Sequence, residues 1–519
     1  MTMKKYSLYI WLLAGVLASC GDFLEESSQD LMIPKSVKDY KEFFFGEVMK
    51  TKSREIPHPY LEYMTDDVKD QCYYGTRPTP LSNDFREAMW AYYTWQANPE
   101  VGMSNEFSTD VAWSSYYHKI LMTNIILDQL PEMSGTDMER RDLAGEAYFM
   151  RALSYFMLAN LYGQPYHPAT AGQDLCVPVN DEVSLSDRMM KRATNAVVYA
   201  KMEGDVKRSI QCFKAVGGEK SIFRPNLPAA YLLASRIALF QEKYDQTILY
   251  SDSVLRATPH SLYKLREDDT HYFFSLVNKE ILLSYGVTTF ESHMGEDYRY
   301  AGQIVVSDDL LAQYPADDLR LAKYFKNTVG RQTSPSAKEY SIHTPFKWKN
   351  NSATVYSNAF RISEAYLNRA EAYAVSGETN KALADLNELR ENRMKAGAAP
   401  LVIDPEGIVA TVRKERRREL AFEGFRWFDL RRYGCPPLQH TYSSKATEGA
   451  GDIFKLQDRR AYVLPIPKSE RDRNTEIETF ERPDSEPVKQ LINSGVFNRE
   501  SSYMDLLGYT RFLSVVIDN

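Results

Sequence analysis

Three sets of residues in this chain have types and spacings that could do chemistry. They are a cysteine behind an apolar run, two glutamates one helical turn apart, and aromatic rings crowded into irregular stretches. The cysteine is Cys20. Lys4 and Lys5 precede Leu8 to Ala18, an uncharged run of 11 residues, and Leu17-Ala18-Ser19-Cys20 follows the pattern of a bacterial lipobox. Lipoprotein processing needs small residues before a cysteine whose thiol takes a diacylglyceryl group. Cleavage leaves that cysteine as an acylated N-terminus, and two or more acyl chains hold a protein at a membrane without a spanning helix. The run is too short to cross a bilayer core, which takes about 20 residues. Residues 1–19 therefore read as a lipoprotein signal peptide, Cys20 as the lipidation (palmitate-bearing) residue, and acidic Gly21 to Asp30 as a tether.

The glutamates are Glu415 and Glu419. A helix predicted over Pro405 to Tyr433 puts them on one stripe with Ile408, Val412 and Phe422. Paired carboxylates are the tools of glycoside hydrolysis. Carboxylates on a buried stripe, however, need cationic partners, and the segment supplies Arg413, Arg416, Arg417, Arg418 and Arg426. Acids held ionised by arginines suit a structural clamp better than a general acid. No other catalytic constellation emerges. The eight histidines make no metal-binding pair, and there is neither a nucleophile elbow nor a phosphate-binding glycine loop. The chain is read as a non-enzyme without a cofactor. Asp268-Asp269, Asp308-Asp309 and Asp317-Asp318 could hold a structural calcium ion, but such acids more often sit in solvated loops or helix starts, and no EF-hand spacing occurs. Beyond Cys20 the cysteines are Cys72, Cys176, Cys212 and Cys435, spaced too widely to reveal a pairing.

The elements that must carry these residues are helix pairs. Phe360 to Met394 holds two helices about a turn at Gly377, with Tyr366, Ala370 and Ala382 at steps of 4 and 12. Pro228 to Thr258 repeats the steps with Tyr231, Ser235 and Thr247. Small residues at these places let two helices touch closely, the grammar of tetratricopeptide-like repeats. A third copy starts at Tyr148, its second helix deferred by the loop from Gly163 to Val179. A further helix over Trp113 to Leu130 puts Trp113, Tyr117, Ile120, Asn124 and Leu127 on one stripe, with Asn124 satisfying a loop backbone inside the core. Between the pairs, Tyr60 to Asn98, His260 to Tyr300 and Gly330 to Ser357 are irregular and rich in rings, with strand-like runs such as Glu280 to Ser284. The whole chain has 35 Tyr, 24 Phe and 6 Trp, and its net charge of −7 argues against a nucleic acid partner.

Taken in order, these pieces resemble the SusD/RagB family of Bacteroidetes outer-membrane lipoproteins. The resemblance rests on Cys20-Gly21-Asp22-Phe23-Leu24 and on Trp113, Tyr117, Ile120 and Asn124. It continues through Glu146 to Ala152, Glu364 to Ala372, Glu415 to Gly424, Arg426 to Arg432 and Tyr462 to Pro467. It implies a mainly α fold, with four tetratricopeptide-like helix pairs forming a superhelical scaffold that carries an irregular ligand-binding subdomain. It also implies a role: a nutrient-binding protein, lipid-anchored in the outer membrane and facing the cell exterior. Such a protein captures a glycan or oligosaccharide, or in some branches a peptide, and delivers it to a SusC-like TonB-dependent transporter. The chain divides accordingly into 20–260 with the first helix pairs, 261–357 on the ligand side, 358–470 with the signature region, and a tail at 471–519 that departs from the family pattern.

Flat rings match the apolar C–H faces of sugars, and polar groups at their rim read hydroxyls. Trp90, Tyr93 and Trp95, with Tyr298, Tyr300 or Trp348, are the expected ring contacts, and Asp67 and Arg77 the polar candidates. The competing readings are core packing for each ring and loop hydrogen bonding for each polar group. For the whole chain the competing reading is a tetratricopeptide-type scaffold that binds only protein.

Overall fold

The computed structural model describes residues 34–49, 57–71, 87–103, 105, 107–183, 189–257, 261–268, 270–286, 303–331, 339–347, 358–402, 405–442 and 451–489. Its helices follow from local signals. α1 (Val37–Phe44) opens on a reciprocal capping box between Ser36 and Asp39 and runs into a π turn at Phe45–Met49. After the single turn of α2 (Trp90–Tyr93) come α3 (Ala112–Gln129) and α4 (Asp137–Tyr162), the latter started by a Thr136/Glu139 capping box. α5 (Asn195–Val216) packs along α4 so closely that a Cβ on Gly145 would lie 2.8 Å from the Phe213 ring.

The two short-turn pairs fall where the small-residue spacing puts them. α6 (Leu227–Phe240), capped by Asn226, turns at 241–243 into α7 (Tyr244–Ala257). Ser235 and Thr247 are fully buried between them, and Ser235 Oγ is 2.8 Å from Ser251 Oγ. In the C-terminal half, α10 (Ile362–Val375) and α11 (Thr379–Glu391) meet over Ala370 and Ala382, both fully buried, and α10 also packs against α7. Asn368 of α10 donates to Ser235 at 3.2 Å, linking one pair to the next.

The helix predicted over Pro405 to Tyr433 is broken. A 3-10 turn at Pro405–Gly407 leads into α12 (Ile408–Glu419), the chain turns, and α13 (Arg426–Arg432) follows. Phe422 at φ 60° and Gly424 at φ 79° reverse the path, and Glu62 accepts the Gly424 N–H at 2.7 Å. A long-range acceptor overrides the helical pattern of the local sequence. The other short helices are α8 (Asp308–Ala312), α9 (Arg320–Tyr324) and α14 (Lys468–Arg471).

The described strands are short and antiparallel. β1 (Val68–Gln71) pairs with β3 (Gln303–Val306), and β2 (Ile281–Ser284), the expected strand-like run, pairs with β6 (Ala359–Arg361). β4 (Phe325–Arg331) pairs with β5 (Glu339–Pro345), and β7 (Leu438–Tyr442) with β8 (Asp452–Leu456), to which β9 (Val488–Lys489) adds. The first part of the tail is thus tied down: Asp484 accepts the Ala97 N–H at 3.0 Å, and Gln96 donates to the Ser485 carbonyl at 3.1 Å. The fold is mainly α with few short strands. Cys176, Cys212 and Cys435 are free thiols, while Cys20 and Cys72 lie outside the described residues.

Candidate functional site

The rings expected at a ligand face divide into two kinds. Trp95 is fully buried at φ 55°, and its Nε1 donates to the Met64 carbonyl at 3.0 Å. Tyr93 is 1% exposed; its hydroxyl accepts from the Asp70 N–H at 2.7 Å and donates to the Thr441 carbonyl at 3.1 Å. Between the two rings lies His440, stacked at 4.1 Å from Tyr93 and 4.3 Å from Trp95. Its Nδ1 and Nε2 sit 2.7 and 2.9 Å from the carbonyls of Tyr93 and Thr65. This three-ring stack joins β7 to the turn after α2, and it leaves neither Tyr93 nor Trp95 a face for a ligand. Trp90 differs. It is half-buried, at the margin of the core, with its ring perpendicular to that of Phe454, ring centroids 6.2 Å apart at 87°.

Asp67 is also enclosed. It is fully buried and accepts from Arg417 Nε at 2.7 Å, while Asp66 takes a bidentate pair from Arg426, both bonds 2.7 Å. These acids bind the segment before β1 to α12 and α13, the loop-anchoring alternative of the sequence reading. Arg77, Tyr298, Tyr300 and Trp348 lie outside the described residues. Gln71 and Gln303 face each other at one end of the β1–β3 ladder.

The paired glutamates are a clamp, with partners mostly from elsewhere in the chain. Glu419 meets Arg320 at 2.9 Å, Arg361 at 2.6 Å and Arg393 at 2.8 Å, all four side chains buried. Glu415 meets Arg320 at 2.6 Å, Arg390 at 3.5 Å, and Arg418 of its own helix. Of the arginines expected locally, Arg416 goes instead to Asp429 and Arg417 to Asp66, Asp67 and Asp309. Burial works against ionisation, yet the surrounding arginines hold Glu419 well below the usual carboxylate range and pull Glu415 down to about 2. Neither has a proton to give at neutral pH, so the arrangement does no general-acid work. Of the acids weighed for calcium, Asp308 pairs with Lys69, Asp309 with Arg417 and Asp318 with Arg320, while Asp269 lies outside the described residues. Among the described residues no group of three or more His, Cys, Asp or Glu is placed to hold a metal ion.

A concave surface of ligand size lies at the start of α3. A groove of about 540 Å³ is lined by Trp113, Tyr117, Pro178, Met190, Arg473 and Asn474, within the range of roughly 300–1,000 Å³ typical of small-molecule sites. Trp113 leans on Tyr117, ring centroids 4.9 Å apart, and Tyr117 donates to the Pro178 carbonyl at 2.7 Å. Asn474 donates to the Met190 carbonyl at 2.9 Å, and its Oδ1 has no partner. Apolar and aromatic surface is thus edged by an amide and a guanidinium. Trp113 is buried, where the helix stripe puts it, and Tyr117 is half-buried. Nothing local to Arg473 and Asn474 announces that the tail segment brings them there. Two turns beyond Tyr117 in α3 the Asn124 expectation holds: Nδ2 donates to the Asn180 and Glu182 carbonyls at 3.0 and 3.3 Å, and Oδ1 accepts from Arg151 at 2.8 Å.

Residues 23–239 match a SusD-like family described as starch-binding and associating with the outer membrane, and residues 243–480 match the SusD family. SusD-like protein P2 of Formosa agariphila is 23% identical over 92% of this chain and 99% of its own length. SusD-like protein P38 of the same organism is 21% identical over 70% of this chain and 78% of its own. Among solved structures, a SusD superfamily protein from Bacteroides thetaiotaomicron is 22% identical, with a TM-score of 0.67, covering 86% of this chain and 100% of its own. A SusD-like carbohydrate binding protein from Bacteroides vulgatus is 18% identical, with a TM-score of 0.64, covering 87% and 98%. The motifs from Trp113 to Pro467, the helix-pair scaffold beneath them and the consecutive matches over 23–239 and 243–480 agree: the chain belongs to the SusD/RagB family of outer-membrane-associated proteins.

Proposed function

We propose that this protein is a surface-exposed lipoprotein, anchored through acylated Cys20, that binds a glycan or oligosaccharide without altering it and passes it to a SusC-like TonB-dependent transporter. The observation that carries this reading is the pair of family matches running from residue 23 to residue 480. The chemistry of the described residues is compatible with it. The one close carboxylate pair weighed for hydrolysis is locked by arginines, and the Trp113 groove offers rings and a polar edge of the kind that meets a saccharide. Trp90 is the described ring expected at the ligand face that retains open surface, and the segments carrying Arg77, Tyr298, Tyr300 and Trp348 complete the proposed contact set.

Calorimetric titration of the full chain against a panel of polysaccharides, with oligopeptides as a second arm, tests the ligand. Saturable heat from a saccharide supports the reading, and saturable heat from peptides alone replaces the glycan with a peptide. Solubilisation from native membranes tests the partner, since a co-purifying import channel is expected. Failure to bind every compound offered, together with the absence of any channel, overturns the proposal.

A further inference from the structure

Among the described residues, Lys119 of α3 is a buried cation with no carboxylate against it. Lys119 is 9% exposed, on the face of α3 that packs against α4, between Tyr116 and Thr123. Its amine lies 5.8 Å from the centroid of the Tyr116 ring. Among the described residues no carboxylate pairs with it and no carbonyl accepts from it. The adjacent His58 offers no charge: it is buried, its Nδ1 lies 3.1 Å from the Tyr116 hydroxyl, and burial together with the Lys119 charge pushes it down to about 3. In the Glu419 cluster each buried charge has an opposite charge against it, which is the ordinary condition for keeping an ion out of water.

Lys119 borders a small cavity of about 20 Å³ between α3, α4 and the ends of β2 and β6. That is room for one water-sized occupant. Its walls include Met150 and Met157 from α4, and Tyr285 and Asn358 beside the β2–β6 ladder. Methionine thioethers and a tyrosine ring make the walls polarizable, while the amine and the Asn358 amide supply hydrogen-bond donors. The walls bring no carboxylate. Burial lowers Lys119 only to about 8, so the amine is mainly charged at neutral pH.

We propose that the cavity at Lys119 is a binding site for a small monatomic anion, a halide such as chloride, held by the Lys119 ammonium between α3 and α4. The size of the cavity selects against carboxylates of any length, and the charge of its one ionised group selects against cations. The site lies beneath the helix pairs and is independent of the proposed nutrient site, so either assignment can fail without the other.

Two measurements test it. In crystals of the full chain soaked in bromide, the anomalous map is expected to show a peak within about 3.5 Å of Lys119 Nζ, the contact distance of a charge-assisted halide bond. Thermal unfolding at fixed ionic strength, with chloride exchanged for gluconate, should reveal a chloride-dependent rise in Tm that K119M loses. The methionine keeps an unbranched chain one atom shorter and removes the charge, and the bromide experiment needs no variant at all. A cavity holding water only, with no bromide peak, would overturn the proposal. So would equal chloride dependence in wild type and K119M.

Discussion

The Glu419 cluster and the Lys119 cavity are two solutions to the same problem, that of a charge removed from water. Around Glu419 the chain supplies every partner itself: three arginines from α9, from β6 and from just beyond α11 converge on one carboxylate. At Lys119 the described residues supply a ring and an amide but no opposite charge. The first is closed and serves only to fasten elements far apart in sequence. The second is open and has capacity for something from outside. A buried titratable residue is therefore informative about binding only after its partners have been counted.

The largest effect should come from breaking the closed cluster. E419A leaves Arg320, Arg361 and Arg393 facing one another without the central carboxylate, and removal of one partner from a buried ion pair costs about 3–5 kcal/mol. Chemical denaturation should show it, and a loss below about 1 kcal/mol would show that the cluster is not the fastening described here. A similar loss, about 3–5 kcal/mol, is expected for W95A, which empties the buried stack on His440. W90A should lose little stability and should weaken saccharide binding. If W95A folds normally and W90A binds normally, the division between packed and open rings collapses.

Glu62 gives a pH test of a carboxyl buried without an ion pair. Burial, with Asp67 adding to it, pushes Glu62 up to about 8. The folded pKa therefore lies above the unfolded one. The folded state takes up the proton more readily, so stability falls as pH rises from about 4.5 towards 8. E62Q keeps an acceptor for the Gly424 N–H and should flatten that fall, with the gap over wild type widest near pH 8. The smallest effect belongs to K119M. With no ion pair among the described residues to break, replacing the lysine by an apolar chain one atom shorter should leave stability in gluconate unchanged or raised.

Much of the scaffold was legible in the sequence because it rests on local rules. Ser235, Thr247, Ala370 and Ala382 mark helix contacts through size alone, and all four are buried where expected. The break after Glu419 was not legible, since it depends on Glu62 reaching Gly424 from the far end of the chain. The site was less legible than the fold for the same reason. Trp90 and Trp95 are five residues apart with similar neighbours, and only the arrival of His440 from β7 separates a packed ring from an open one. Lys119 stands off the predicted Trp113–Tyr117–Ile120 stripe. Its burial comes from α4, which the helix period of α3 does not show.

The central claim is that this family member holds a saccharide and leaves it whole. Titrate the purified full chain with polysaccharides in a calorimeter, then analyse the sugar recovered from the cell. The account predicts saturable heat, weakened in W90A, and a saccharide of unchanged length. Shortened chains in the recovered sugar, or no binding heat from any saccharide, would contradict it.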